Sequence, residues 1–146
     1  MKTLLISGFG FGLALAQAGE SKVKMQDLPP AVQQAVKEHT KGATLVGLAK
    51  EVENGKTFYE AETKVNGKGR DILFDPAGTI VEVEEEVTLD SIPPGARDAI
   101  QKKAGKSRIT KVEKLTKGGN VTYEAGTKKG FKTSEIQVNA DGALVK

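Results

Sequence analysis

Apolar positions along the chain recur with two different periods. Val32, Ala35, Val36 and His39 fall at helical spacing, as do Ala96, Ala99, Ile100 and Lys103. Each stretch predicts a helix with one inward stripe. Pro29-Pro30 and Pro93-Pro94 stand at the start of these stretches. Proline suits a first helical turn, where its missing N–H would have no partner anyway. Gly42 and Gly105 are stop signals. After each helix the period falls to two. Segments 44–53, 57–65, 69–75 and 79–87 are separated by Asn54-Gly55, Asn66-Gly67 and Asp75-Pro76-Ala77-Gly78, all strong turn chemistry. The second half repeats this with Gly118-Gly119, Lys129-Gly130 and Asn139-Ala140-Asp141-Gly142. Leu45 to Leu48, and Ile109 to Val112 to Leu115, are spaced by three within their strands, which a bulge would accommodate.

The two halves are copies. Aligning 28–82 with 92–146 without a gap gives 14 identities in 55 pairs, concentrated at turn and core positions. Leu28-Pro29-Pro30 meets Ile92-Pro93-Pro94, Tyr59-Glu60-Ala61 meets Tyr123-Glu124-Ala125, and Gly78 meets Gly142. The expected fold class is therefore α+β, two tandem α-β-β-β-β repeats, each a helix packed on an antiparallel sheet. The division is 28–90 for the first repeat and 91–146 for the second. Residues 19–27 read as a linker. A unit of that size is marginal alone, so the sheets are expected to join or the helices to share a core.

Strand alternation assigns the faces. Tyr59, Ala61, Thr63 and Val65, with Ile72 and Phe74, should lie under the first helix. Val121, Tyr123 and Ala125, with Ile136 and Val138, should lie under the second. Phe58, Glu60, Glu62, Asp71 and Leu73 should then point away. Phe58 and Leu73 are apolar where the second copy has Thr122 and Gln137. An apolar pair ringed by Glu60, Glu62 and Asp71 on an open sheet face reads as a contact site for a protein partner.

The first 18 residues change the compartment. Lys2, an apolar run from Leu4 to Leu15, and Ala16-Gln17-Ala18 have the order of a secretory signal peptide with its cleavage site. The run is about 12 residues, where a membrane span needs about 20. The mature chain is expected to begin near Gly19 in the periplasm or outside the cell. The chain has no Cys and one His. This excludes disulfides, thiolate chemistry, Cys-based metal sites and any centre needing two imidazoles. His39, the sole imidazole, stands near a helix end where a cation suits the dipole. With scarce serines and no nucleophile-elbow motif, the sequence predicts a non-enzyme without a cofactor.

Net charge is +3, but its distribution is uneven. Segment 28–90 carries 7 Lys/Arg against 12 Asp/Glu, and segment 91–146 carries 12 against 5. A basic lobe for an acidic partner, pairing of the lobes, and plain solvated faces all fit this asymmetry. Nucleic acid fits poorly, because the basic half lacks interleaved aromatics. Glu82, Glu84, Glu85, Glu86 and Asp90 form an acidic run at the end of the first repeat. It carries an alternative function, a small-ligand or divalent-cation sensor, although no calcium-loop motif accompanies it.

The leader, the doubled L/I-P-P-x-x-x-x-A-V/I element, the Tyr-Glu-Ala strand and the Asp/Asn-x-x-Gly turn together resemble the PepSY-like proteins, including those related in fold to β-lactamase inhibitor protein. The resemblance covers nearly all of 28–146. It implies a helical element on a four-stranded antiparallel sheet in each copy, with the two sheets aligned into one concave surface. It also implies a secreted or periplasmic binding or inhibitory module. The hairpin tips Asn66-Gly67 and Lys129-Gly130 become candidate probes of a partner's cleft.

Overall fold

A computed structural model describes residues 19–145; the signal-peptide reading of residues 1–18 lies outside the described residues. Helix α1 spans Pro30–His39 and α2 spans Pro94–Ala104. The strands are β1 (Gly19–Lys22), β2 (Thr44–Glu53), β3 (Lys56–Val65), β4 (Lys68–Phe74), β5 (Ile80–Glu86), β6 (Arg108–Lys117), β7 (Asn120–Lys129) and β8 (Lys132–Val138). They form one antiparallel sheet in sequence order from β1 to β8. The two repeats thus share a sheet through β5 and β6, where Glu82 pairs with Lys117 and Glu86 with Glu113.

Each helix covers its own half of one face. Val32, Ala35 and Val36 of α1 pack with Leu48, Ala61, Ile72 and Phe74, and Tyr59 lies against this cluster. Ala96, Ile100 and Ala104 of α2 pack with Val112, Ala125, Ile136 and Val138, and Tyr123 lies against that one. Leu28 and Ile92, just before the proline pairs, are buried in the two cores. The register shifts once between Leu45 and Gly47 and once between Ile109 and Lys111. These bulges account for the spacing by three, with one exception. Leu115 follows Val112 by three without a bulge between them, so it points to the opposite face, level with Glu84 and Thr122.

The turns obey local chemistry. Asn54 and Gly55 have φ of 49° and 75°, and Asn66 and Gly67 have 51° and 80°. Positive φ at both central positions is the pattern of a type I′ hairpin. Asp75 Oδ1 accepts the N–H groups of Ala77 and Thr79, each at 2.9 Å. Asn139 Oδ1 accepts those of Asp141 and Ala143 at 3.1 and 2.9 Å. Each turn then seats a glycine against its helix. A Cβ on Gly78 would lie 2.6 Å from Ala31 O, and one on Gly142 would lie 2.5 Å from Gly95 O.

Three expectations need correction. Val65 and Val121, expected under the helices, are exposed near the end of β3 and the start of β7 and belong to neither core cluster. Gly19–Lys22, read as part of a linker, is an edge strand paired with β2 from Gly19↔Val52 to Lys22↔Ala49. The second repeat shows three strands where four were expected; after the Asn139–Gly142 turn the described chain makes one bridge, Val138↔Leu144. The corresponding segment of the first repeat, β5, pairs with β4 on one side and β6 on the other.

Candidate functional site

The face of the sheet opposite the helices carries most of the chemistry. Strand register sets its side chains in rows. One row runs Ala49, Glu60, Leu73, Glu82, Lys117. The next runs Gly47, Glu62, Asp71, Glu84, Leu115, Thr122. A third sets Glu86 beside Glu113 and Glu113 beside Glu124. Residues directly opposite on neighbouring strands have Cβ atoms about 5 Å apart, so these carboxylates crowd one another.

Crowding and burial displace their protonation. Glu60 is 6% exposed and Glu84 8%. Burial, and then the charges of Glu51, Asp71, Glu62 and Glu84, push the Glu60 carboxyl up to about 9. Burial, and then Glu113, Glu82, Glu124 and Asp71, push Glu84 up to about 9. Glu51 rises to about 7 through burial and Glu20, held back by a hydrogen bond with Glu60. Asp71 rises to about 6 through burial, held back by the Thr63 N–H that it accepts at 3.2 Å. Glu124 rises to about 7 through burial and Glu135. Burial lowers Lys111, but its ion pair with Glu113 outweighs that and leaves it above its ordinary value.

The charge asymmetry of the halves appears at their seam. Lys117 Nζ lies 3.1 Å from Glu82 Oε2 on the helix-free face, and Lys114 Nζ lies 3.4 Å from Glu85 Oε2. Acidic β5 therefore meets basic β6, one of the roles left open for the uneven charge.

Among the residues singled out for partner contact, Phe58, Glu60, Glu62, Asp71 and Leu73 do share the helix-free face. Leu73, however, is only 4% exposed, and Phe58, Glu62 and Asp71 are half-buried. The expected exposed apolar pair is therefore absent: Leu73 sits between Glu60 and Glu82 in its row, and all three are buried. The hairpin tips behave differently. Asn66 and Gly67 are exposed between β3 and β4, and Lys129 and Gly130 are exposed between β7 and β8. Lys129 pairs with Lys132, so the second tip is Gly130-Phe131, one residue further along than Lys129-Gly130. Gly130 has φ 60° and Phe131 is not among the residues of positive φ, the pattern of a type II′ turn. Phe131 is fully exposed, at 105%. The sequence did carry a signal for it: an aromatic residue inside Lys128-Lys129-Gly130-Phe131-Lys132, at the repeat position of Gly67. His39 is exposed; its carbonyl accepts Arg70 Nη1 at 3.2 Å at the end of α1.

A continuous antiparallel sheet with one helix per repeat on the same side defines a tandem helix-on-sheet protein. The chain belongs to the beta-lactamase-inhibitor-like, PepSY-like family, whose sequence profile matches residues 16–82 and again 58–146. No curated protein matches it in sequence. Solved structures share the fold. A protein from Bacteroides eggerthii described as "putative periplasmic" superposes with TM-score 0.67 at 19% identity, over 82% of this chain and 86% of that one. A BLIP-like protein from Bacteroides fragilis gives 0.59 at 20% identity, over 82% and 84%. A DUF2874 family protein from Bacteroides ovatus gives 0.63 at 19% identity, over 82% and 85%. Among the described residues, no helix is long and apolar enough to cross a membrane.

Proposed function

We propose that this protein is a periplasmic or secreted, non-catalytic binding module that inserts the Gly130-Phe131 hairpin tip into an apolar, acid-rimmed pocket of a partner protein. The observation that carries this reading is Phe131, fully exposed on a two-residue turn whose neighbours Lys128, Lys129 and Lys132 are also exposed. A tight turn already fixes the backbone of Phe131, and a side chain with only two χ angles loses little rotamer entropy when its ring is seated in a pocket. Its transfer to an apolar pocket yields about 2–3 kcal/mol, and aromatic residues are enriched at interface cores. The three lysines favour an acidic rim and a fast encounter.

The compartment follows from the leader-like first residues and agrees with the periplasmic description of the Bacteroides eggerthii neighbour. An inhibitory role toward an extracytoplasmic enzyme is the specific form that kinship with a BLIP-like fold supports. The Asn66-Gly67 tip and the half-buried Phe58 and Glu62 are secondary contacts in this reading. Affinity capture from a periplasmic extract tests it. The wild-type protein should retain a partner that Phe131→Glu loses and that Glu62→Lys largely keeps. Equal capture by wild type and Phe131→Glu would overturn it.

A further inference from the structure

The helix-free face holds a second, separate feature. Asp71 on β4, Glu84 on β5 and Glu113 on β6 each place a carboxylate oxygen within 4.8 Å of the other two. Glu84 and Glu113 are buried, at 8% and 9% exposure, and Asp71 is half-buried. Three adjacent strands therefore converge acidic oxygens on one small volume. Calcium binds carboxylate oxygens at about 2.3–2.6 Å. Three mutually equidistant ligands of one calcium ion can stand up to about 4.5 Å apart, so these oxygens need draw together by no more than a few tenths of an ångström for a single ion to touch all three. Oxygen-only donors select hard cations of the calcium, magnesium and manganese class, and the tighter shell of magnesium spans less.

Glu124 supplies the second observation. It is directly across from Glu113 on β7 and on the same face. It is 7% exposed, and its Oε2 is buried without a hydrogen-bond partner. A buried carboxylate oxygen left unmatched is rare in native proteins and calls for a proton, an ion or a water. The local cations are already committed: Lys111 is ion-paired with Glu113, and Lys117 with Glu82. Four carboxyls, Asp71, Glu84, Glu113 and Glu124, thus face the single Lys111, so acidic oxygens outnumber the cation available to them.

We propose that Asp71, Glu84 and Glu113, with Glu124 beside Glu113, form a binding site for one calcium-sized divalent cation. This site is distinct from the Phe131 tip and stands or falls separately from it. The cation would cross-link β4, β5 and β6, and so tie the first repeat to the second at their seam. Lys111 competes with the cation for Glu113.

The test is isothermal titration of the purified protein, cleared of metal with EDTA, with calcium chloride at neutral pH. The expected result is a single saturable site with Kd of about 0.1–1 mM, the range of extracellular calcium modules. Glu84→Gln and Asp71→Asn, each near-isosteric, should weaken binding at least about tenfold by removing a carboxylate ligand. Lys111→Met should tighten it several-fold, which a merely structural role would not produce. Glu38→Gln on the exposed side of α1, and Phe131→Ala, should leave it unchanged. Lack of saturation by millimolar calcium, or equal affinity in wild type, Glu84→Gln and Asp71→Asn, would overturn the proposal. If both carboxylate variants misfold, the response of Lys111→Met decides: tighter binding supports the site and unchanged binding refutes it.

Discussion

Gly78→Ala probes the contact that seats each helix on its sheet. Gly78 has φ +81°, and an added Cβ would stand 2.6 Å from Ala31 O and 3.3 Å from the Ala35 methyl. Two costs follow. Holding alanine in the left-handed region costs about 1 kcal/mol relative to glycine. The overlap with Ala31 O must then be relieved by moving either the Asp75–Gly78 turn or the first turns of α1, which bury Val32, Ala35 and Val36. Overpacking of that kind typically costs about 1–3 kcal/mol, for a total of about 2–4 kcal/mol. Gly67→Ala is the control. Gly67 has φ +80° with nothing within 4 Å of the added Cβ, so it bears the conformational cost alone, about 1 kcal/mol. Urea denaturation followed by circular dichroism reads both, with the slope of the transition checked for constancy. Gly142→Ala should behave like Gly78→Ala, since its Cβ would meet Gly95 O at 2.5 Å. If Gly78→Ala costs no more than Gly67→Ala, the close approach of turn to helix is wrong, and with it the reason for a glycine at this place in both repeats.

Other outcomes follow from the same structure. Glu60→Gln should stabilise the protein near pH 7 and flatten its pH dependence. The Glu60 carboxyl stands at about 9 in the fold against an ordinary 4.5, so its contribution is complete below about 4.5 and is lost as pH rises toward 9. The limiting slope is about 1.4 kcal/mol per pH unit per group. Glu84 shares that window, so part of the slope should remain; urea midpoints between pH 5 and 8 that fall as steeply in the variant as in the wild type would refute the assignment. Asp75→Ala removes the acceptor of two N–H groups and should cost about 1–2 kcal/mol. Asp75→Asn should be nearly neutral, because the second repeat already uses Asn139 there. Phe131→Ala should change the melting temperature little, since surface substitutions usually stay within about 0.5 kcal/mol, yet abolish partner capture.

What could be read before folding was local. Asn-Gly and Asp-x-x-Gly turns set their own backbone conformation, proline pairs open helices because of a missing donor, and period-two apolar positions put Tyr59, Ala61, Ile72 and Phe74 under α1. The duplication multiplied these signals and made the α+β repeat legible. Leu115 escaped because a spacing of three can be a bulge or a change of face, and only the register with β5 decides between them. Leu73 was placed on the correct face yet misjudged as exposed, because its burial depends on side chains from β3 and β5.

The chain by itself determined the repeat, the turns, the helix stripes and the alternation of faces, since each depends on contacts a few residues apart. The joining of β5 to β6, the raised carboxyls of Glu60 and Glu84, and the convergence of Asp71, Glu84 and Glu113 were decided only by the tertiary structure. Those carboxylates are 13 and 29 residues apart in sequence, and strand register alone brings their oxygens together; charge interactions act through space, so their strength is undefined until the sheet closes the distance.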